Sequence, residues 1–132
     1  MSLLLLDTSF LIDAERAGGS ADGPIEDDDE VAVAAVTIAE LLAGVYLAQG
    51  RRRAARRRFA SRVLDEIPVI PYDLAVAAAH GELLAAVRRS GRPRDAHDLI
   101  IAATARATHR TVVTADPIAF GGLPGVSCSS HR

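Results

Sequence analysis

Leu3-Leu4-Leu5-Leu6-Asp7-Thr8-Ser9 opens the chain with four consecutive leucines that stop at an acid and two hydroxyls. So short a run, apolar at every position, has the pattern of a strand covered on both faces, as in a parallel sheet. It is far too short for a membrane span or a signal-peptide core. The acid that ends it falls where open parallel sheets place their ligand sites, outside the carboxyl ends of the strands.

Outward from this stretch, residues 9–16 read as a short helix, residues 17–30 as a Gly/Asp-rich loop and residues 31–36 as a second strand. Thr37-Ile38-Ala39-Glu40 has the spacing of a capping box, so a helix is predicted to begin at Thr37 and to stop near residues 44–50. Residues 51–66 form a third helix, with Ala55, Phe59 and Val63 at helical spacing and arginines over much of the remaining surface. Residues 67–70 are a short extended piece. Asp73 can cap a long Ala/Leu helix running to Ser90, where Gly91 and Pro93 are stop signals.

Another helix is read from Asp98 and a strand over residues 111–114, broken by Asp116-Pro117. A last, edge strand is predicted at residues 126–128. Short apolar strands alternating with helices imply an α/β sandwich with a mostly parallel central sheet. A chain of 132 residues suits one compact domain, residues 1–132.

Net charge is −2, but the charge is segregated. Asp22 and residues 26–30 are acidic, whereas seven arginines crowd into residues 51–62. All 15 basic residues are arginine, which removes every mechanism that needs a lysine ammonium or Schiff base. Phosphatases of the haloacid-dehalogenase type and receiver domains are excluded on that ground, because both place a lysine beside their acids. The single cysteine, Cys128, can form no internal disulfide, and no apolar segment is long enough for a membrane. A cytoplasmic protein with no membrane attachment is the expectation.

Asp7, Glu40, Asp98 and Asp116 share one property: each sits just past an expected strand or in the opening turn of an expected helix. They could therefore converge on one edge of the sheet. Two like charges ~4 Å apart repel by roughly 4 kcal/mol at an effective dielectric near 20, so such a cluster calls for a cation. Oxygen ligands without a Cys or His set suit Mg²⁺ or Mn²⁺, not zinc. A metal so placed can activate water for in-line attack on a phosphodiester. Thr8 and Ser9 could donate hydroxyls to a carboxylate or a substrate phosphate. Singly, each residue has a plainer role available: Glu40 could complete its capping box, Asp98 could favour the helix dipole, Asp116 could be a turn residue, and Asp95 a solvated N-cap.

Taken together, Leu5-Leu6-Asp7-Thr8-Ser9, Val36-Thr37-Ile38-Ala39-Glu40-Leu41, Asp98-Leu99-Ile100-Ile101-Ala102-Ala103-Thr104-Ala105 and Val112-Val113-Thr114-Ala115-Asp116 resemble the PIN domain family, and within it the VapC ribonuclease toxins. Four motifs in order over nearly the whole chain are far more specific than one. The resemblance implies an α/β/α sandwich and a Mg²⁺- or Mn²⁺-dependent endoribonuclease. It also implies a homodimer that enters a hetero-oligomer with a VapB-type antitoxin. Asp7, Glu40, Asp98 and Asp116 would be the acidic quartet, Thr8 and Ser9 supporting polar residues, and Asp95 a possible auxiliary. Where many relatives carry a further acid shortly after the fourth, this chain has Pro117-Ile118-Ala119 before Phe120.

Arg51, Arg52, Arg53, Arg56, Arg57 and Arg58 could grip RNA phosphates or an acidic antitoxin segment, or could be a solvated helix face. His97 reads as a surface residue. The non-enzymatic alternative is a PIN-like module that binds RNA or protein without cleaving. Four acids held in motif positions weigh against it, because unused clustered carboxylates cost stability.

Overall fold

The computed structural model describes residues 1–18 and 25–130. In order along the chain lie β1 (Leu3–Leu6), α1 (Thr8–Arg16), β2 (Glu30–Ala34), α2 (Ala35–Leu47), α3 (Gly50–Glu66) and β3 (Val69–Ile70). After them come α4 (Leu74–Ser90), α5 (Ala96–Ala107), β4 (Thr111–Thr114), a single 3-10 turn (Pro117–Ala119) and β5 (Cys128–Ser130). The sheet order is β3-β2-β1-β4-β5, and every neighbouring pair is parallel.

The leucine run of β1 is explained by its two covered faces. Leu4 and Leu6 pack with Phe10 and Leu11 of α1 and Val63 of α3, whereas Leu5 faces Val76 and Leu83 of α4 and Ile101 of α5. Val113 joins the first cluster and Val112 the second, as the period of a strand requires. The result is an α/β/α sandwich. The chain moves from β1 outward to β2 and β3, then crosses to β4 on the other side of β1. The gap between the ends of β1 and β4 is thus the topological switch point, where such sheets bind ligands.

Several sequence expectations shift. The second strand ends at Ala34, not at residue 36, and α2 is already helical at Ala35. Thr37 is therefore the third residue of the helix, Ala34 caps it without a side-chain bond, and no capping box forms. Both side chains of the expected box are directed to α1, as described below. Ala55 is exposed, and the buried face of α3 is Ala60 and Val63. The helix expected from Asp98 begins at Ala96. The last strand lies two residues later than read, because Cys128 pairs with Val112 and extends the sheet at its edge. The loop read over residues 17–30 falls partly outside the described residues, as does Asp22. Within its described part Asp28 pairs with the Met1 amine and Glu30 with Arg110. Among the described residues no helix is long and apolar enough to cross a membrane.

Candidate active site

Asp7 leaves β1 with extended backbone and serves as N-cap of α1. Its backbone N–H donates to Val113 O of β4 at 2.9 Å, which anchors it at the switch point. The side chain is buried, with 4% of its surface exposed. One carboxylate oxygen accepts the Thr8 N–H at 2.8 Å, and the other accepts the hydroxyls of Ser9 and Thr114, each at 2.8 Å. A carboxylate offers about four acceptor positions, so three bonds leave room for about one more ligand. Burial pushes the Asp7 carboxyl above the usual range, the three hydrogen bonds oppose the rise, and the charge of Glu40 adds to it.

Glu40 approaches from α2. Its Oε1 accepts the Thr8 hydroxyl at 2.7 Å, and its Oε2 lies 3.3 Å from Nδ1 of His97 in α5. The Thr8 hydroxyl is also 3.2 Å from that of Thr37, which is fully buried. His97 is exposed, as read from the sequence, yet it ties α5 to α2.

Asp98 sits in the first turn of α5, two residues after the helix starts. Asp95 is the N-cap, its Oδ1 accepting the N–H groups of His97 at 2.9 Å and Asp98 at 3.1 Å. Asp98 is half-buried and pushed up to about 6, first by burial and then by the charges of Asp7, Asp95, Glu40 and Asp116. All four acids of the expected quartet are therefore near enough for their charges to meet at one carboxyl. Asp116 follows β4 and is exposed; its N–H donates to the Thr114 hydroxyl at 2.9 Å.

The donor set is all oxygen, and among the described residues no arginine pairs with any of these four acids. Among the described residues no three acid, imidazole or thiol groups stand close enough to enclose an ion as they are. Carboxylate oxygens are hard ligands, of the kind that suit a divalent cation keeping several of its waters. Among the described residues the four acids have no thiol beside them, and the one imidazole in contact with them is that of His97 at Glu40.

Three residues of the site escaped the sequence reading. Thr114 appeared as the last residue of a strand, but its hydroxyl links Asp7, Ser9 and Asp116. Thr37 appeared as a cap. Arg94 had no local signal at all. Its guanidinium donates to the carbonyls of Ile118 at 3.3 Å, Ala119 at 2.9 Å and Gly121 at 2.7 Å, fastening the turn after Asp116 to the segment before Asp98.

The arginines of α3 are not drawn to the acids by any contact among the described residues. Arg53 donates to Ala48 O and Tyr46 O, Arg56 donates to Gly44 O, and Arg57 lies over the Tyr46 ring. Arg51, Arg52 and Arg58 are exposed.

Comparison with known proteins agrees with this architecture. The family model of the PIN domain matches residues 4–120. The chain is 31% identical over 137 residues to the plasmid stability protein StbB of Pseudomonas syringae pv. tomato, covering 92% of this chain and 94% of that protein. It superposes with a TM-score of 0.77 on VapBC-5 of Mycobacterium tuberculosis, a member of the VapBC family of toxin-antitoxin systems. Identity there is 30%, over 100% of this chain and 99% of the other. VapBC2 of Rickettsia felis, bound to a DNA fragment from its promoter, gives a TM-score of 0.84 at 19% identity over 98% of this chain and 99% of that one, a likeness of fold.

Proposed function

The chain belongs to the PIN domain family, and from that premise we propose that it is a metal-dependent endoribonuclease, the toxin of a type II toxin–antitoxin pair. The observation that carries this reading is the meeting of the Asp7, Glu40 and Asp116 charges at Asp98, beside the switch point of the sheet. Asp7, Glu40, Asp98 and Asp116 are the residues that would hold Mg²⁺ or Mn²⁺. When bound, such an ion supplies positive charge against the phosphate and lowers the pKa of water.

The chain's own residues do the rest. Thr8 N–H, Ser9 and Thr114 hold Asp7 in one orientation, so it binds without first having to be ordered. Thr8 holds Glu40 by its hydroxyl and leaves the other carboxylate oxygen facing His97. Asp98 stays half-buried among acids; burial first and the neighbouring charges second raise its pKa, and a cation would offset the charges. Hydrolysis then forms a bond from water oxygen to phosphorus and breaks a phosphorus–ribose oxygen bond. The leaving oxygen takes up a proton. No protein nucleophile is needed.

The partner in this reading is a VapB-type antitoxin, with a toxin homodimer inside the hetero-oligomer, as the likeness to VapBC systems supports. A cytoplasmic location goes with an RNA substrate. The test is cleavage of total cellular RNA by the purified, partner-free chain, wild type against Asp7→Asn, with Mg²⁺, Mn²⁺ or excess EDTA. Cleavage that requires both Asp7 and metal is the expected result. No cleavage by well-folded wild type across many RNAs would leave a binding module in its place.

A further inference from the structure

Between the turn that follows Asp116 and the segment that precedes Asp95 lies a concavity that carries arginines. It has a volume of about 490 Å³, and among the residues that line it are Ser90, Arg92, Arg94, Gly121 and Gly122, with no acid. Arg94 forms one wall and spends its guanidinium on the turn after Asp116. Arg92 is different: it is exposed, and among the described residues its guanidinium makes no hydrogen bond or ion pair.

The segment that carries Arg92 is held at both ends. Gly91 takes the left-handed conformation, φ 68°, that closes α4, and its N–H donates to Val87 O. The Ser90 hydroxyl donates to Val87 O at 2.8 Å and accepts the Arg92 N–H at 3.2 Å. On the far side Arg94 is clamped and Asp95 caps α5. Arg92 thus projects from a rigid turn, three residues before Asp95, a reach of no more than about 11 Å in chain length. Of the arginines of α3, Arg53, Arg56 and Arg57 are engaged with their own hairpin, whereas Arg51, Arg52 and Arg58 are exposed like Arg92 but stand on a helix that makes no contact with the four acids among the described residues.

A polyanion lying across an acidic, cation-loaded site needs fixed positive charge beside it to set its register. Arginine presents a planar fork that matches phosphate oxygens. We infer that Arg92, with the concavity beside it, is a phosphate subsite that holds the RNA strand next to the bond to be cut. This rests on the ribonuclease reading and adds the place where the substrate backbone is gripped.

The experiment uses the whole chain and a labelled RNA hairpin selected from wild-type cleavage of total RNA. Steady-state cleavage is measured for wild type, Arg92→Gln, Arg92→Lys and Arg16→Gln, the last at the far end of α1 from Asp7. Binding of the hairpin is measured against salt in an Asp98→Asn background, with Mg²⁺ present. Arg92→Gln is expected to raise KM about tenfold with kcat little changed. It is also expected to reduce the magnitude of the salt slope by about one phosphate contact. Arg92→Lys should recover most of the slope, because the charge remains. Unchanged KM and slope in Arg92→Gln, or an equal loss in Arg16→Gln, would overturn the subsite and leave the nuclease standing. Failure of wild type to cut or bind any RNA overturns the parent reading, and the subsite with it.

Discussion

The Thr8 hydroxyl donates to Glu40 Oε1 at 2.7 Å, joining residues 32 positions apart. This contact decides what Glu40 does. A capping box would turn the carboxylate back to its own helix start, but Ala34 is the cap there and Glu40 is held by α1 instead. Glu40→Gln keeps an oxygen to accept from Thr8 and removes the charge. It should leave the melting temperature equal to or above that of wild type and lower RNA cleavage about 100-fold or more. Thr8→Val, which frees Glu40 without discharging it, should cost about 10- to 100-fold. Single-turnover cleavage and a thermal melt of each variant separate the two effects. Wild-type cleavage by Glu40→Gln would remove Glu40 from the site.

Asp98 should make the metal-free protein less stable as pH rises. Its folded pKa of about 6 lies above the ordinary 3.8, so between those values the folded state holds the proton more tightly than the unfolded chain. The stability contributed by protonated Asp98 is present below about pH 4 and is lost as pH rises through about 6. Asp98→Asn mimics the protonated acid. The difference in melting temperature between this variant and wild type should be small near pH 4, grow in the variant's favour toward pH 6 and then level off. A constant difference over that range would show that folding does not raise the Asp98 pKa.

Thr114 holds together three parts of the site. Its hydroxyl donates to Asp7, accepts the Asp116 N–H and lies 3.3 Å from the Ser9 hydroxyl. Thr114→Val keeps the shape of this fully buried side chain and removes every one of these bonds. Leaving buried polar groups unpaired costs about 1–3 kcal/mol, so denaturant unfolding should show a loss of that order. Ser9→Ala leaves Thr114 on Asp7 and should cost less. Equal losses from both variants would mean that the two hydroxyls carry the site equally.

Added Mg²⁺ should raise the melting temperature of wild type, because an ion that binds only the folded state stabilises it by mass action, about 2.7 kcal/mol at a concentration 100 times its Kd. Asp7→Asn and Asp98→Asn should show a reduced shift. A wild-type melt indifferent to millimolar Mg²⁺ and Mn²⁺ would contradict a cation site among these acids.

Much of the architecture follows from local chemistry. The uninterrupted leucines of β1 announce a doubly covered strand, Asp73 and Gly91 bound α4 where read, and residues 111–114 are a strand as expected. Asp7, Asp98 and Asp116 follow a strand or open a helix, positions that a parallel sheet gathers on one edge, whereas Glu40, read in an opening turn, is the sixth residue of α2.

Other features have no local signature because their partners are far along the chain. Thr37 and Glu40 match a capping box over four residues, but Thr8 supplies a partner that a local motif cannot include. The last strand takes its register from Val112, 16 residues away, against a weak pattern of its own. Arg94 works on carbonyls 24 to 27 residues later, and Thr114 on a carboxylate 107 residues earlier. Residue type and period by themselves determined where strands and helices form and which acids stand at their ends, since these depend on a few neighbouring residues. Only the tertiary structure decided which hydroxyls hold those acids, how burial and neighbouring charges raise Asp98, and which arginine fastens the turn after Asp116. Those depend on distances across the fold, and spacing along the chain does not specify them.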